Sequence, residues 1–116
     1  REENGRGDGA GTKLNIPLEP YTTDAAYLAL WEEAEAFIRA SQPQFIVFES
    51  GVDGLEGDPL SNQPISRKAI DEVNRSVRAL AQEVAQGRLL VLGGGGYDLD
   101  NVSNGWATVV EGLLSR

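Results

Sequence analysis

The sequence predicts an α/β fold built on parallel strands. Two continuous apolar runs, Phe45–Phe48 and Leu89–Leu92, have the length and composition of parallel strands that are buried on both faces. Between and after these runs, apolar residues recur every three or four positions, which indicates amphipathic helices. The alternation of strands and helices favours parallel neighbours joined by right-handed crossovers.

The N-terminal third of the chain is predicted to contain a loop, a strand and a helix. Residues 1–12 are polar and rich in glycine, and they have no hydrophobic period, so we expect a loop. Residues 14–18 alternate apolar and polar and are predicted to form a short edge strand before Pro20. Thr23 or Asp24 can cap the helix that follows, and Pro43 ends it. Its apolar stripe, in which Trp31 is assigned to core packing, consists of Tyr27, Leu28, Trp31, Ala34, Phe37 and Ile38.

Two more helices and one more strand follow. Ser66 is predicted to open the second helix and Gly87 to end it, and the Leu89–Leu92 strand comes next. Asp98 or Asp100 can cap the last helix. The stripe of the second helix is Ile70, Val73, Val77, Leu80 and Val84, and that of the last helix is Val102, Trp106, Val109, Val110 and Leu113.

Composition excludes several classes of function. The net charge is −8, from 18 acidic and 10 basic residues, which disfavours direct binding of nucleic acid. No apolar run approaches the roughly 20 residues that span a membrane, so we expect no membrane partner. The chain has no cysteine, which excludes disulfides and thiolate metal sites and is compatible with a cytoplasmic location.

Residues 1–116 are predicted to form a single α/β segment. The chain begins with Arg1 and contains no methionine, so we expect it to be part of a longer protein. Three short strands make a thin parallel sheet, and such sheets normally bury both faces. The isolated chain is therefore expected to self-associate through exposed edges and apolar faces.

A long loop with two carboxylates follows the Phe45–Phe48 strand. It begins Gly51-Val52-Asp53-Gly54-Leu55-Glu56-Gly57-Asp58-Pro59-Leu60. Loops of about 16 residues within compact domains are usually functional or disordered. Asp53 and Asp58 could bind a cation, could hydrogen-bond the loop, or could simply be turn residues.

A second glycine-rich loop follows the Leu89–Leu92 strand. Four consecutive glycines, 93 to 96, precede Tyr97. Such a run is tolerated where the backbone needs unusual dihedral angles or where another group approaches closely. Tyr97 is placed at the carboxyl end of a strand, where ligands bind in open α/β sheets, and it could donate a hydrogen bond to an oxyanion or be incidental.

Together these two loops resemble the zinc-dependent deacetylase superfamily of histone deacetylases, acetylpolyamine amidohydrolases and acetoin-utilisation proteins. The likeness covers nearly the whole chain, and its most specific part is Leu92-Gly93-Gly94-Gly95-Gly96-Tyr97 with Asn101 and Trp106 downstream. Val52 and the pair Ser103-Asn104 depart from the usual pattern of the family. The resemblance implies the C-terminal portion of a three-layer α/β/α, arginase/deacetylase-like fold.

The resemblance also implies an activity and roles for individual residues. Asp53 would be one zinc ligand, and Tyr97 would stabilise the tetrahedral oxyanion when acetyl-lysine or acetylpolyamine amides are hydrolysed. Leu60 would line the substrate channel, with Gly95 beside it. The second aspartate, the zinc-binding histidine and a histidine pair would come from a preceding part of the protein. Since this chain has no histidine, it should be inactive alone.

Two other functions remain open from the sequence. A non-catalytic structural or interaction domain could keep the deacetylase fold without its site. A nucleotide-binding domain could use the tetraglycine loop, although the lysine of a P-loop and the G-x-G-x-x-G spacing are missing.

Overall fold

Residues 1–114 are described by the computed structural model. Apart from a short 3₁₀ turn at Gly7–Gly9, residues 1–12 form a loop, as predicted. No helix in this described range is long and apolar enough to cross a membrane. In chain order the elements are α1 (Asp24–Ser41), β1 (Ile46–Glu49), α2 (Arg67–Ala85), β2 (Leu89–Leu92) and α3 (Leu99–Leu114).

The two strands of the sheet, β1 and β2, are parallel neighbours, as predicted. Ile46 pairs with Leu89 at one end of the ladder and Glu49 pairs with Leu92 at the other. The first strand begins one residue later than its apolar run, since Phe45 lies before the ladder and is half exposed. The crossover between the strands contains α2, which is the βαβ unit that the alternation predicts.

The strand predicted at residues 14–18 is wrong. In the described part of the chain the sheet consists of β1 and β2, and residues 14–18 have no regular secondary structure. Instead, Ile16 and Leu18 border a small apolar cavity together with Tyr27 and Trp31 of α1. Alternating apolar residues report which side of a segment is buried, and here that side packs on a helix rather than within a sheet.

The predicted helix caps are confirmed. The Thr23 side chain accepts a hydrogen bond from the Ala26 N–H at the start of α1, and Ser66 Oγ accepts one from the Ala69 N–H at 3.2 Å at the start of α2. Such N-caps satisfy backbone donors that have no partner within the helix. At the other end of α2, Gly87 has a φ of 76° and ends the helix as expected.

Helix α2 forms the centre of the core. Its predicted stripe is confirmed, with Val84 partly buried and the other members fully buried. Two apolar clusters lie along it, one towards β1 and the end of α1 and the other towards α3 and the loop after β1. Trp31 is partly buried, with its ring centroid 6.3 Å from that of Phe48, which confirms its packing role.

The sheet packs against helices on one face only within the described residues. Phe48 and Val91 contact the apolar clusters around α2. On the opposite face, Val47 is 60% exposed, Leu90 46% and Leu92 45%. The apolar runs predict strands that are buried on both faces. Residues 1–114 cover only one face of the sheet.

Helix α3 approaches its neighbours through glycines. Its buried residues are Gly105, Val109 and Gly112, whereas Val102 and Val110, which the predicted stripe includes, are exposed. A Cβ at Gly105 would lie 2.8 Å from Leu55 Cδ1, so the close approach of α3 requires a glycine there. The other three members of the stripe pack in the core, so the stripe is confirmed in part, although it leaves out the two glycines of the contact face.

Candidate functional site

The loops that follow β1 and β2 run side by side. The Ser50 N–H donates to Leu92 O at 2.9 Å, and the Val52 N–H donates to Gly95 O at 2.7 Å. These bonds extend the pairing of the two strands beyond the sheet. As expected for parallel strands, the segments that carry Asp53 and Tyr97 leave the same edge.

Asp53 has an unengaged carboxylate. Its side chain is half-buried, and no hydrogen bond or ion pair reaches it from residues 1–114. It lies against the backbone of Gly95, where a Cβ would overlap the carboxylate group. A partly buried carboxylate without a partner is costly unless water or another ligand satisfies it. Asp53 is therefore available to bind a cation or a hydrogen-bond donor.

Close approach accounts for the glycine run. A Cβ at Gly94 would lie 2.9 Å from the Cα of Gly51, and one at Gly96 would lie 2.7 Å from Val52 Cγ2. Within the run, only Gly96 has a positive φ, of 156°. Of the two reasons that the sequence offered for this run, close approach therefore applies at more positions than unusual dihedral angles.

Asp58 is engaged on both carboxylate oxygens. Oδ1 accepts from the Leu60 N–H at 2.9 Å and from the Ser61 N–H at 3.2 Å, while Oδ2 accepts from the Tyr97 N–H at 2.9 Å. Burial disfavours the charged form, but the three backbone donors outweigh it and hold the pKa of the Asp58 carboxyl below its ordinary value. Three roles were left open for Asp58: cation binding, hydrogen bonding of the loop, or a simple turn residue. The structure shows the second.

Tyr97 is positioned through its backbone. Its side chain is 57% exposed, and its phenol oxygen has no partner within the described range. Immediately after it, Asp98 Oδ1 accepts from the Asn101 N–H at 2.8 Å, so Asp98 rather than Asp100 caps α3. Asn101 in turn donates through Nδ2 to Glu56 O at 3.1 Å, which ties α3 to the loop that carries Asp53.

Leu60 lies on the surface beside this arrangement. It is 72% exposed, and its backbone N–H is bonded to the same carboxylate that holds the Tyr97 N–H. A single exposed apolar side chain is common on protein surfaces, so the assignment of Leu60 to substrate stays a prediction. Gly95, the other residue assigned to substrate, lies against Asp53.

The long loop between β1 and α2 is internally bonded. Leu55 and Ile65 form a parallel bridge, and both side chains are only 2% exposed. The loop ends at Ser66, whose N–H donates to Asp24 Oδ1 at 2.8 Å, while the Ser66 hydroxyl donates to the other oxygen of the same carboxylate. The loop is thus anchored to the core and to α1 on either side of Asp58.

Val52 connects the site to the core, which the sequence did not indicate. Its side chain is fully buried, and it packs against the positions of Gly96 and Gly105, where a Cβ would lie 2.7 Å and 2.9 Å from its methyl groups. The departure of Val52 from the family pattern therefore coincides with a core contact. The sequence feature that could have indicated this core contact is the apolar residue next to an aspartate in a glycine-rich loop.

The residues of this site can supply part of a metal centre. Within residues 1–114 there is no group of three His, Cys, Asp or Glu residues placed to hold a metal ion. The Asp53 carboxylate, without a partner and against a glycine backbone, fits the role of one ligand. Because a catalytic zinc site uses three protein ligands, two more would have to come from outside these residues.

Comparison with known proteins assigns the chain to a family. The histone deacetylase domain matches residues 1–113. The chain belongs to the histone deacetylase domain family. It is 34% identical over 116 residues to the acetoin utilization protein AcuC of Staphylococcus xylosus, covering 98% of this chain and 30% of that protein. The corresponding Bacillus subtilis protein is 32% identical over 110 residues, with 93% and 28% covered. This family member thus spans about 30% of the length of those relatives.

Solved structures confirm the fold of this family member. The HDA15 HD domain superposes with a TM-score of 0.87 at 26% identity, covering 97% of this chain and 31% of that one. An acetylpolyamine aminohydrolase from Burkholderia pseudomallei superposes with a TM-score of 0.86 at 21% identity, covering 97% and 31%, which shows the fold alone. The predicted α/β class and the resemblance to deacetylases are confirmed. The nucleotide-binding alternative has no support from these matches.

Proposed function

We propose that this chain is the part of a zinc-dependent deacetylase that contributes one zinc ligand and the oxyanion-stabilising tyrosine. Asp53 is the ligand and Tyr97 is the catalytic residue. The observation that carries the proposal is the pairing of their two loops, through the 2.7 Å bond from the Val52 N–H to Gly95 O. It brings an unengaged carboxylate and an unengaged phenol to the same edge of the sheet.

The chemistry of the two side chains suits amide hydrolysis. When bound, zinc would act as a Lewis acid towards the amide carbonyl and lower the pKa of water. The Asp53 carboxylate is a ligand of the hard, anionic kind that zinc accepts. The Tyr97 hydroxyl donates a hydrogen bond to the carbonyl oxygen, and that bond strengthens as negative charge develops on the oxygen.

The proposed substrate is an acetylated amine, either acetyl-lysine in a protein or an acetylpolyamine. The name of the family supports the first of these, and the second is the other substrate class that the sequence resemblance implies. The exposed Leu60 would contact the apolar part of such a chain, and Gly95, which has no side chain, would let the Asp53 carboxylate lie against the loop. Both substrates share an extended aliphatic amine that carries a neutral acetamide.

Histidine, the usual general acid–base group, is not supplied by this chain. Histidine is the residue that most often transfers protons near neutral pH. We propose that a histidine pair and the other zinc ligands belong to the rest of the deacetylase. The 116-residue chain alone should therefore show no turnover.

The full-length protein tests this proposal. Assayed with an acetyl-lysine peptide and with N-acetylputrescine, it should release acetate, and a chelator should abolish the reaction. Tyr97→Phe should lower kcat by roughly 10²- to 10³-fold, because one oxyanion donor is lost. KM should change little, since the lost bond forms mainly in the transition state.

Three outcomes would contradict the proposal. Absence of turnover in a folded, zinc-loaded protein would favour the alternative, a structural or interaction domain with the deacetylase fold. An unchanged kcat for Tyr97→Phe in an active protein would remove the tyrosine from the mechanism. Turnover by the 116-residue chain alone, inhibited by a hydroxamate, would show that the histidines are dispensable.

We also propose that the isolated chain self-associates. The uncovered face of its two-stranded sheet presents Val47, Leu90 and Leu92, each at least 45% exposed. Charge opposes association only weakly, since the screening length is about 8 Å at physiological salt. Sedimentation equilibrium should reveal dimers or larger species, and Leu90→Lys should shift them towards monomer. A cooperative monomer at high concentration would contradict this.

A further inference from the structure

We propose that Asp58 is a positioning residue, which places Tyr97 relative to Asp53 through the Tyr97 backbone. The inference rests on the proposed function, because it assigns Asp58 a part in the reaction through Tyr97. Asp58 touches neither the phenol nor Asp53 by any hydrogen bond in the described range. It acts through a 2.9 Å bond from the Tyr97 N–H to its Oδ2.

Tyr97 needs such an anchor because of its surroundings. It follows four residues without side chains, and ordering glycine costs more backbone entropy than ordering any other residue. Its ring is 57% exposed, and its phenol oxygen has no partner among residues 1–114. The bond to Asp58 therefore falls where packing does little to hold the residue.

Asp58 is itself held firmly enough to serve as an anchor. Its side chain is only 6% exposed, and its other oxygen accepts two backbone bonds, from Leu60 and Ser61. The turn that contains it is bonded to the core, since the Asp58 N–H donates to Leu55 O at 3.2 Å. A charged acceptor with backbone bonds of 2.9 Å and 3.2 Å to one oxygen can fix the donor at its other oxygen.

The same carboxylate joins the two proposed functions of the site. Leu60, assigned to the substrate channel, and Tyr97, assigned to the oxyanion, are 37 positions apart in sequence, yet each backbone N–H lies 2.9 Å from an oxygen of Asp58. Their spacing is thereby set by one rigid, planar group. Misplacement of a reacting group by about 1 Å can cost about 10²-fold in rate.

Asp58→Asn in the full-length, zinc-loaded enzyme tests the inference. An asparagine can keep the bonds from Leu60 and Ser61 through its carbonyl oxygen, but its NH₂ group then faces the Tyr97 N–H, donor against donor. We expect kcat to fall by about 10²-fold with KM and zinc content nearly unchanged. A structural role alone would lower thermal stability and the active fraction, leaving kcat per zinc-loaded site unchanged.

A double-mutant cycle separates positioning from an independent effect. If Asp58 acts through the phenol of Tyr97, Asp58→Asn should change kcat little once Tyr97→Phe has removed the hydroxyl. Equal fold-losses in the two backgrounds would overturn the inference. If Tyr97→Phe alone left kcat unchanged, the proposed function would fail instead, so the two failures are distinguishable.

Asp24→Asn provides a matched control. Asp24 also accepts two hydrogen bonds from another segment, from the N–H and the hydroxyl of Ser66, but it makes no bond to the Tyr97 loop. This variant should lose stability while keeping its kcat per folded, zinc-loaded molecule. A loss of kcat like that of Asp58→Asn would mean that loosening the long loop is sufficient, which would contradict a specific role.

A second variant covers the case in which Asp58→Asn does not fold. Replacing Tyr97 by its α-hydroxy acid analogue turns one amide into an ester and deletes the N–H while keeping the phenol. Asp58 then retains its bonds from Leu60 and Ser61. The inference predicts a fall in kcat similar to that of Asp58→Asn, and a kcat equal to that of the unmodified enzyme would overturn it.

Discussion

Asp53 and Asp58 lie in the same loop and carry the same side chain, but they differ in their hydrogen bonding. Asp53 is half-buried and has no partner within the described residues, whereas Asp58, five positions later, accepts three backbone hydrogen bonds. The difference lies in the backbone around them. Asp58 faces N–H groups of its own turn and of Tyr97, while Asp53 faces the glycine backbone at Gly95.

This comparison shows that two aspartates of one loop can serve different roles, one in stabilising the loop and one in binding a ligand. A carboxylate whose lone pairs are saturated by the protein stabilises its surroundings and has little capacity left for a ligand. A carboxylate left open is costly in isolation and becomes useful when a cation completes it. Asp58 thus stabilises the loop, whereas the Asp53 carboxylate is left available for a ligand.

The largest effect is expected when the open carboxylate is removed. Asp53→Ala in the full-length protein should abolish activity and tight zinc binding, because one of three protein ligands is lost. The metal-free protein should keep its stability within about 0.5 kcal/mol, since no hydrogen bond or ion pair is broken. Zinc content after dialysis and thermal unfolding would be measured together. Stoichiometric zinc in the folded variant would make Asp53 a turn residue only.

A smaller effect is expected when the space around Asp53 is filled. Gly95→Ala introduces a Cβ that overlaps the Asp53 carboxylate, so the carboxylate must turn away. Zinc affinity should fall by about 10- to 100-fold, as for other changes that reorient a ligand. Competition with a metal indicator would measure it.

Gly54→Ala is the control for that substitution. It adds the same methyl group next to Asp53, but the nearest atom outside its neighbours is Ile65 Cγ1 at 4.0 Å, an ordinary contact. Its zinc affinity should equal that of the unmodified protein. Equal losses in both variants would point to general sensitivity of the loop rather than to the fit between Gly95 and Asp53.

The smallest effect is expected in the acid stability of the Asp58 segment. The pKa of Asp58 is lowered from its ordinary value of 3.8, so the folded state binds this proton less readily than the unfolded state. Its stabilising contribution is complete above that ordinary value and is lost as the pH falls through the folded pKa. Unfolding by urea should therefore show stability falling more steeply below about pH 4 in the unmodified protein than in Asp58→Asn. Parallel curves would contradict the assignment.

Secondary structure was predictable where local signals agreed. Thr23 and Ser66 cap the helices that follow them, and the apolar stripe of α2 lies in the core. The edge strand at residues 14–18 was not predictable, because alternation indicates a buried side without naming the element that buries it. The contact face of α3 was predicted only in part, because Gly105 and Gly112 make close contacts without the side chains that an apolar pattern includes.

The candidate site was predictable in part. The order of strands and loops placed Asp53 and Tyr97 at one edge, and the family match supports the resemblance that assigned their roles. Those roles, with those of Leu60 and Gly95, stay predictions. The bond between Asp58 and Tyr97 joins residues 39 positions apart and leaves no local pattern.

The sequence by itself determined the helices, the two parallel strands, the absence of histidine and the presence of a carboxylate and a phenol after successive strands. Tertiary structure decided which carboxylate is open and which is saturated. The physical reason is that the side chain of an aspartate is the same at both positions, and only the backbone N–H groups that the fold directs at Asp58, from its own turn and from Tyr97, make the difference. The Tyr97 donor is placed by the packing of β2 and α3 against the loop, and that packing depends on close contacts at glycines.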